Sequence, residues 1–113
     1  MITSKKIVSE GELVFSAGVN EEHAISCMFF CNTNELNSAF LDVYVVPGNN
    51  PDGWISNFGA VVKNVEITPT ETFTFDTEKL VLSDGDAVRV SVRYDDSSLS
   101  DNVVVTISSV RVR

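Results

Sequence analysis

The sequence predicts an all-β protein: a single antiparallel β-sandwich of about eight strands, jelly-roll-like, with an immunoglobulin-like strand order as the runner-up. Three observations lead there. Apolar residues recur with period 2 in "ISCMFFCN", "AFLDVYVV", "TFTFD", "AVRVSVRY" and "NVVVTISSVRV", the alternation of half-buried strands. Those segments are rich in Val, Ile, Phe, Tyr and Thr and are separated by clusters of Gly, Asn, Asp, Pro and Ser, the residues of strands and of turns respectively. No window of a dozen residues carries a helical stripe. The 113 residues read as one domain, 1–113, long enough to bury a core without disulfide or metal staples.

Taken in order, strands are expected at 2–8, 11–17, 23–32, 38–46, 59–68, 71–76, 87–94 and 102–112. The third, "HAISCMFFCN", contains Cys27 and Cys31. Four apart on one strand, they point to the same face about 13 Å from each other, too far for a disulfide. They read as free thiols used as small hydrophobes in a core. His23, the single histidine, has Glu21 and Glu22 beside it and reads as a solvated strand-end residue. In 38–46, Ala39, Leu41, Val43 and Val45 face one way and Phe40 and Tyr44 the other. Both faces of that strand are apolar, so a loop or a partner chain must cover the outer one.

The loop "PGNNPDGWISNF", 47–58, carries Trp54 and Phe58. An aromatic in a long loop either folds back to cap the end of the sandwich or offers a contact site. "SDGDAV" places Asp84, Gly85 and Asp86 between two apolar runs, downstream of Asp76 and Glu78. Asp-Gly there reads as a corner, because Asp bonds nearby backbone and Gly supplies positive φ. A Ca²⁺ site is the competing reading; it needs six to eight oxygens, and Asp95, Asp96 and Asp101 complete one only if their loop folds alongside.

In 87–94, Val88, Val90, Val92 and Tyr94 share the core side while Arg89, Ser91 and Arg93 face out. The loop "DDSSLSDN", 95–102, puts Leu99 at its tip. In the last strand Val103, Val105 and Ile107 share a face and the phase then slips to Val110 and Val112, which predicts a β-bulge near Ser108–Ser109 and turns Arg111 outward.

The residues exclude more chemistry than they offer. Nucleophile–base catalysis needs a histidine beside a Ser or Cys and a third orienting group, and a lone strand-end histidine supplies none of that. No phosphate loop or H-E-x-x-H pattern is present. Paired-carboxylate catalysis needs a cleft, which a small filled sandwich is not expected to have. No catalytic residue, metal site or cofactor is therefore assigned. A net charge of −8 repels phosphate backbones and anionic membranes, and no apolar run reaches the ~20 residues of a spanning helix. The start "MITSKKIVSE" lacks an apolar signal region, so folding in a cytoplasm is expected. Arg89, Arg93, Arg111 and Arg113 fall late in the chain, and Glu10, Glu12, Glu21 and Glu22 early. That asymmetry permits head-to-tail contact between copies or with a partner.

Three segments carry a resemblance: "CNTNELNSAFLDVYVVPGN", "GAVVKNVEITPTETFTFDTEKLVLSDGDAVRV" and "VVVTISSVRV". The N-T turn into a strand ending V-V-P-G, the I-x-P-x-x-T-F-x-F-D-T-E-K-L-x-L segment and the G-D before the next strand resemble small bacteriophage virion structural proteins, over residues 25–112. The resemblance implies a non-enzymatic β-sandwich component of a capsid or tail, made in the host cytoplasm and located in the virion. Its implied partners are other virion proteins and further copies of itself, not nucleic acid or membrane. Candidate partner or self-association contacts are Phe40, Tyr44, Trp54, Phe58, Arg89, Arg93, Leu99 and Arg111. The alternative function is a carbohydrate-binding or host-attachment module with Trp54 and Phe58 as its stacking platform.

Overall fold

The computed structural model describes residues 2–7, 10–94 and 103–112, apart from the side chains of 76–79. Leu99, Asp95, Asp96, Asp101 and Arg113, and the side chains of Asp76 and Glu78, lie outside the described residues. Eight strands are present: β1 Ile2–Ile7, β2 Glu12–Ser16, β3 Glu22–Asn32, β4 Ala39–Val46, β5 Ala60–Ile67, β6 Thr72–Ser83, β7 Ala87–Tyr94 and β8 Val103–Arg111. One short 3₁₀ turn, Gly53–Ser56, interrupts the loop after β4. No described helix is long and apolar enough to cross a membrane.

The strands form two four-stranded sheets, ordered β1-β8-β3-β6 and β2-β7-β4-β5, with antiparallel pairing throughout. That order is the double Greek key of a jelly roll, so the jelly-roll expectation holds over the immunoglobulin-like one. Between the sheets lies one core. Ile25, Met28, Phe30, Val103, Val105 and Ile107 come from one sheet, and Leu41, Val43, Val62, Ile67, Val88 and Val90 from the other, all buried. The inward parity of β7 is as the alternation requires, with Val88 and Val90 fully buried.

Strand bounds depart from expectation mainly in β6, which runs to Ser83 and not 76. "TEKL" is poor in strand-forming types, and the ladder crosses it on an irregularity: Ile25 pairs with Leu80 and Cys27 with Asp76. The bulge expected on the last strand is on its neighbour instead. Ser109 is fully buried while Val110 is 60% exposed, so β8 alternates without a slip. Ile25 pairs with Ser109 and Cys27 with Ser108, leaving Ser26 as the extra residue on β3. The apparent slip arose because Ser109, a small polar residue, occupies a core position that Val110 was assumed to take. The same bulge corrects the cysteines. Cys27 and Cys31 are free, half-buried thiols flanking Phe29 on the outer face, while Met28 and Phe30 take the core. His23 is also corrected: it is buried at 6% exposure, set edge-on to Phe15 at 5.3 Å, with its Nε2 2.9 Å from Glu21 Oε1.

The acidic turn is a corner. Asp84 and Gly85 take φ of 43° and 86°. Asp84 Oδ1 accepts the Asn20 amide at 2.8 Å, and the Asp86 carboxylate accepts the Gly48 and Ser83 amides at 2.8 and 3.0 Å. These carboxylates are bound to backbone donors from three connections. Among the described residues no group of three metal-ligating side chains is assembled. At the opposite end, the fully buried Asn32 donates to the carbonyls of Asn37 and Ile67, both at 2.9 Å, and so ties β3 to the connections of the other sheet.

Candidate functional site

The site grows from the outer face of the β2-β7-β4-β5 sheet. Directly paired residues share a face in an antiparallel ladder, so Phe40 stands beside Arg93, Asp42 beside Ser91, and Tyr44 beside Arg89. Asp42 interrupts an apolar run and is only 1% exposed. A carboxylate there survives only if charge and hydrogen bonds compensate for lost water.

The compensation comes from a bulge on β5. Leu41 pairs with Val65 but Val43 pairs with Val62, so Lys63 and Asn64 together oppose Asp42. Asn64 takes φ 57°, a left-handed conformation that Asn tolerates better than most residues. Its amide donates to Asp42 Oδ1 at 2.7 Å. From the other side Arg93 donates to Asp42 Oδ2 and to Asn64 Oδ1, both at 2.5 Å, and Lys63 Nζ lies 3.5 Å from Asp42 Oδ2. Burial pushes the Asp42 carboxyl up, but the Arg93 and Asn64 hydrogen bonds and the two cations outweigh it and hold the group below its usual range. The Tyr44 hydroxyl, with help from Asp42, holds the Lys63 ammonium above its usual range against the pull of burial.

The loop 47–59 closes over this face. Gly59 has φ 81°, and a Cβ on it would lie 2.1 Å from the Val45 carbonyl oxygen, so only glycine lets the chain return to the sheet there. Asn57 takes the left-handed position after the 3₁₀ turn, and its side chain accepts from Lys63 Nζ at 3.1 Å. Trp54 sits edge-on to Tyr44 at 6.3 Å, with the Arg89 guanidinium 5.8 Å from its ring. Gly11, at φ 63°, lies directly against that ring: a Cβ there would come within 2.4 Å of Trp54. Arg89 also donates to the Gly11 carbonyl at 2.8 Å, and the Gly11 amide donates to Ser91 Oγ at 2.7 Å. Trp54 therefore folds back onto the outer sheet face, and not onto an end of the sandwich.

Beside this cover lies an open cleft of about 380 Å³. Its floor is Asp42 and Tyr44, its walls are Lys63, Arg93 and Trp54, and Glu10, Ile55 and Asn57 complete the rim. The expectation that a filled sandwich has no cleft is thus corrected: the interior is filled, and the concavity is on the outer face, between sheet and loop.

Of the residues singled out from sequence, Tyr44, Trp54, Arg89 and Arg93 meet here, with Phe40 half-buried next to Arg93. Tyr44 is 3% exposed, so of the two possible covers for its face, the protein's own loop is the one present. Phe58 lies on the same loop, 64% exposed, and does not line the cleft. Arg111 is on β8 in the other sheet, so the arginines form no single patch. Sequence reading missed Asp42, Lys63, Asn57 and Asn64. The signal for Asp42 was present: an acidic residue inside "AFLDVYVV", on the face already recognised as covered.

Strand order, register and a single shared core define a jelly-roll β-sandwich. No family model matches the sequence, and no curated protein does. Among solved structures, the chain is similar to the T13 particle of infectious bursal disease virus at 11% identity and a TM-score of 0.37, covering 94% of this chain and 30% of that one. It is similar to that virus's Gx strain at 8% identity and 0.37, covering 95% and 32%. T=1 particles derived from the same virus give 13% and 0.36, covering 98% and 28%. The chain spans under a third of the length of the chains it matches, and these are particles of an animal virus, not of a bacteriophage.

Proposed function

We propose that this chain is a non-enzymatic virion structural protein of a bacteriophage, decorating the capsid or attached to the tail or neck, and assembling with other virion proteins and with copies of itself. The jelly roll is a recurrent capsid architecture, and the sequence segments quoted above resemble phage virion components. Fold alone does not assign a role. The observation that carries the reading is the outer face of the β1-β8-β3-β6 sheet.

Pairing across that sheet aligns three rows: Lys6–Val104–Cys31–Thr72, Ser4–Thr106–Phe29–Thr74 and Ile2–Ser108–Cys27–Asp76. Lys6 is the one described charged side chain among them. A solvated sheet face is polar; this one is polar mainly through hydroxyls, and the middle of an interface is depleted in charge. Copies with net charge −8 repel, and this face is where two of them approach at least Coulomb cost. The occupant proposed for it is a second copy, with loops and the opposite face left for other virion proteins.

Light scattering on a sizing column, followed by co-sedimentation with virion shells or tails, tests the reading. The native protein is expected to be an oligomer that sediments with particles, and Thr74→Glu, an exposed change in the central row, to return it to a monomer. A native protein that is strictly monomeric and fails to sediment with shells or tails would overturn it.

A further inference from the structure

We infer that the cleft over Asp42 is a binding site for a neutral saccharide. The inference does not depend on the proposed role in a virion, since it concerns the other sheet face.

The space is of the right order: small-ligand sites start near 300 Å³, and this cleft offers about 380 Å³. Its side chains are fixed before any ligand arrives. Lys63 Nζ is held by the Tyr44 hydroxyl at 3.2 Å and by Asn57, and Arg93 is held by Asp42 and Asn64. A site whose rotamers are already fixed loses little further side-chain entropy on binding.

Charge selects the class of ligand. The lining has two cations, Lys63 and Arg93, and two carboxylates, Asp42 and Glu10, so it is balanced. An anion would compete with Asp42 for both cations and enter against the field of a chain with net charge −8. A cation would compete with Lys63 and Arg93 for a carboxylate already bound on both oxygens. A neutral hydroxyl-rich molecule needs neither exchange. Each hydroxyl both donates and accepts, which suits a wall where ammonium, guanidinium, amide and carboxylate groups alternate. Trp54 and the 66%-exposed Ile55 add apolar surface for the C–H face of a sugar ring. The stacking residue is then Trp54, and Phe58 is not part of the platform.

Trp54 is the single tryptophan, so its emission reports on the cleft directly. Titration of the intact protein with glucose, galactose, mannose, N-acetylglucosamine and their short β-linked oligomers, with sialyllactose as the acidic comparison, is the test. A saturable change in Trp54 emission with a neutral sugar is expected. Asn57→Gly, which removes the amide but keeps the left-handed backbone, is expected to weaken it about five- to tenfold. Ile55→Asp alters only an exposed rim residue and is expected to weaken it as well, with circular dichroism unchanged. The inference is overturned if no neutral sugar perturbs Trp54 at millimolar concentration, if sialyllactose binds better than every neutral sugar, or if binding survives both substitutions undiminished.

Discussion

The two outer sheet faces of this molecule are built from the same kind of strand and reach opposite solutions. On the β2-β7-β4-β5 face a carboxylate is taken out of water, wrapped by Asn64, Arg93 and Lys63, and roofed by a loop carrying Trp54. On the β1-β8-β3-β6 face the described side chains of the three rows are hydroxyls, thiols, Phe29, Ile2, Val104 and Lys6, with no roof among the described residues. The difference teaches that polarity and exposure are separable. The buried carboxylate Asp42 lies on the roofed face, while the rows of the open face include Lys6 as their one described charged side chain.

Three substitutions or conditions set the faces against each other. The largest effect is expected on the covered face: Asp42→Ala leaves an arginine, a lysine and a backbone amide without their shared acceptor. It should cost about 2–3 kcal/mol in denaturant unfolding, less than for fully buried partners because Arg93 and Lys63 can rehydrate. A loss under about 0.5 kcal/mol would mean that the cluster contributes nothing beyond its own desolvation.

Next is acid. The Asp42 carboxyl titrates lower in the folded protein than in the unfolded chain. Its contribution is therefore fully present above the ordinary carboxylate value near 4 and is lost as pH falls through the folded value. The stability gap between the native protein and Asp42→Asn should stay level above about pH 4 and shrink as pH falls below it. Glu21, half-buried and held low chiefly by its hydrogen bond with His23, shifts with the same sign. A gap that stays constant would separate Asp42 from the acid limb.

The smallest effect is expected on the open face. Thr74→Glu should leave unfolding free energy, measured on dilute monomer, within about 0.5 kcal/mol. That outcome sharpens the contrast, because it would show that folding tolerates a charge at the centre of the face and that its middle row is uncharged for another reason. A large loss would mean instead that the fold itself forbids charge on this sheet.

Most of the architecture was legible because the strands keep strict alternation between good turn residues. β7 is the clearest case, with core valines and outward arginines separated residue by residue. The errors fall where alternation breaks. Ser109 in the core and Ser26 on a bulge moved an irregularity from β8 to β3, since a serine gives no hydropathic sign of which face it takes. The site was half legible. Period 2 shows that Tyr44 leaves the core, but not that Trp54 arrives to cover it. Lys63 and Asn64 reach Asp42 only because a bulge turns two residues of β5 toward one of β4, and pairing of that kind is set by tertiary contact, not by local sequence.

The Asp84-Gly85-Asp86 corner has a consequence for how the chain reaches this state. Its carboxylates hold amides at Asn20 and Gly48, positions separated from the corner by whole strands. Neither contact exists until β2, β4 and β6 have been brought to one rim, so long loops must close before those bonds reward closure. The corner is therefore expected to be a late latch in folding, with substitutions of Asp84 or Asp86 speeding unfolding more than they slow folding in stopped-flow kinetics.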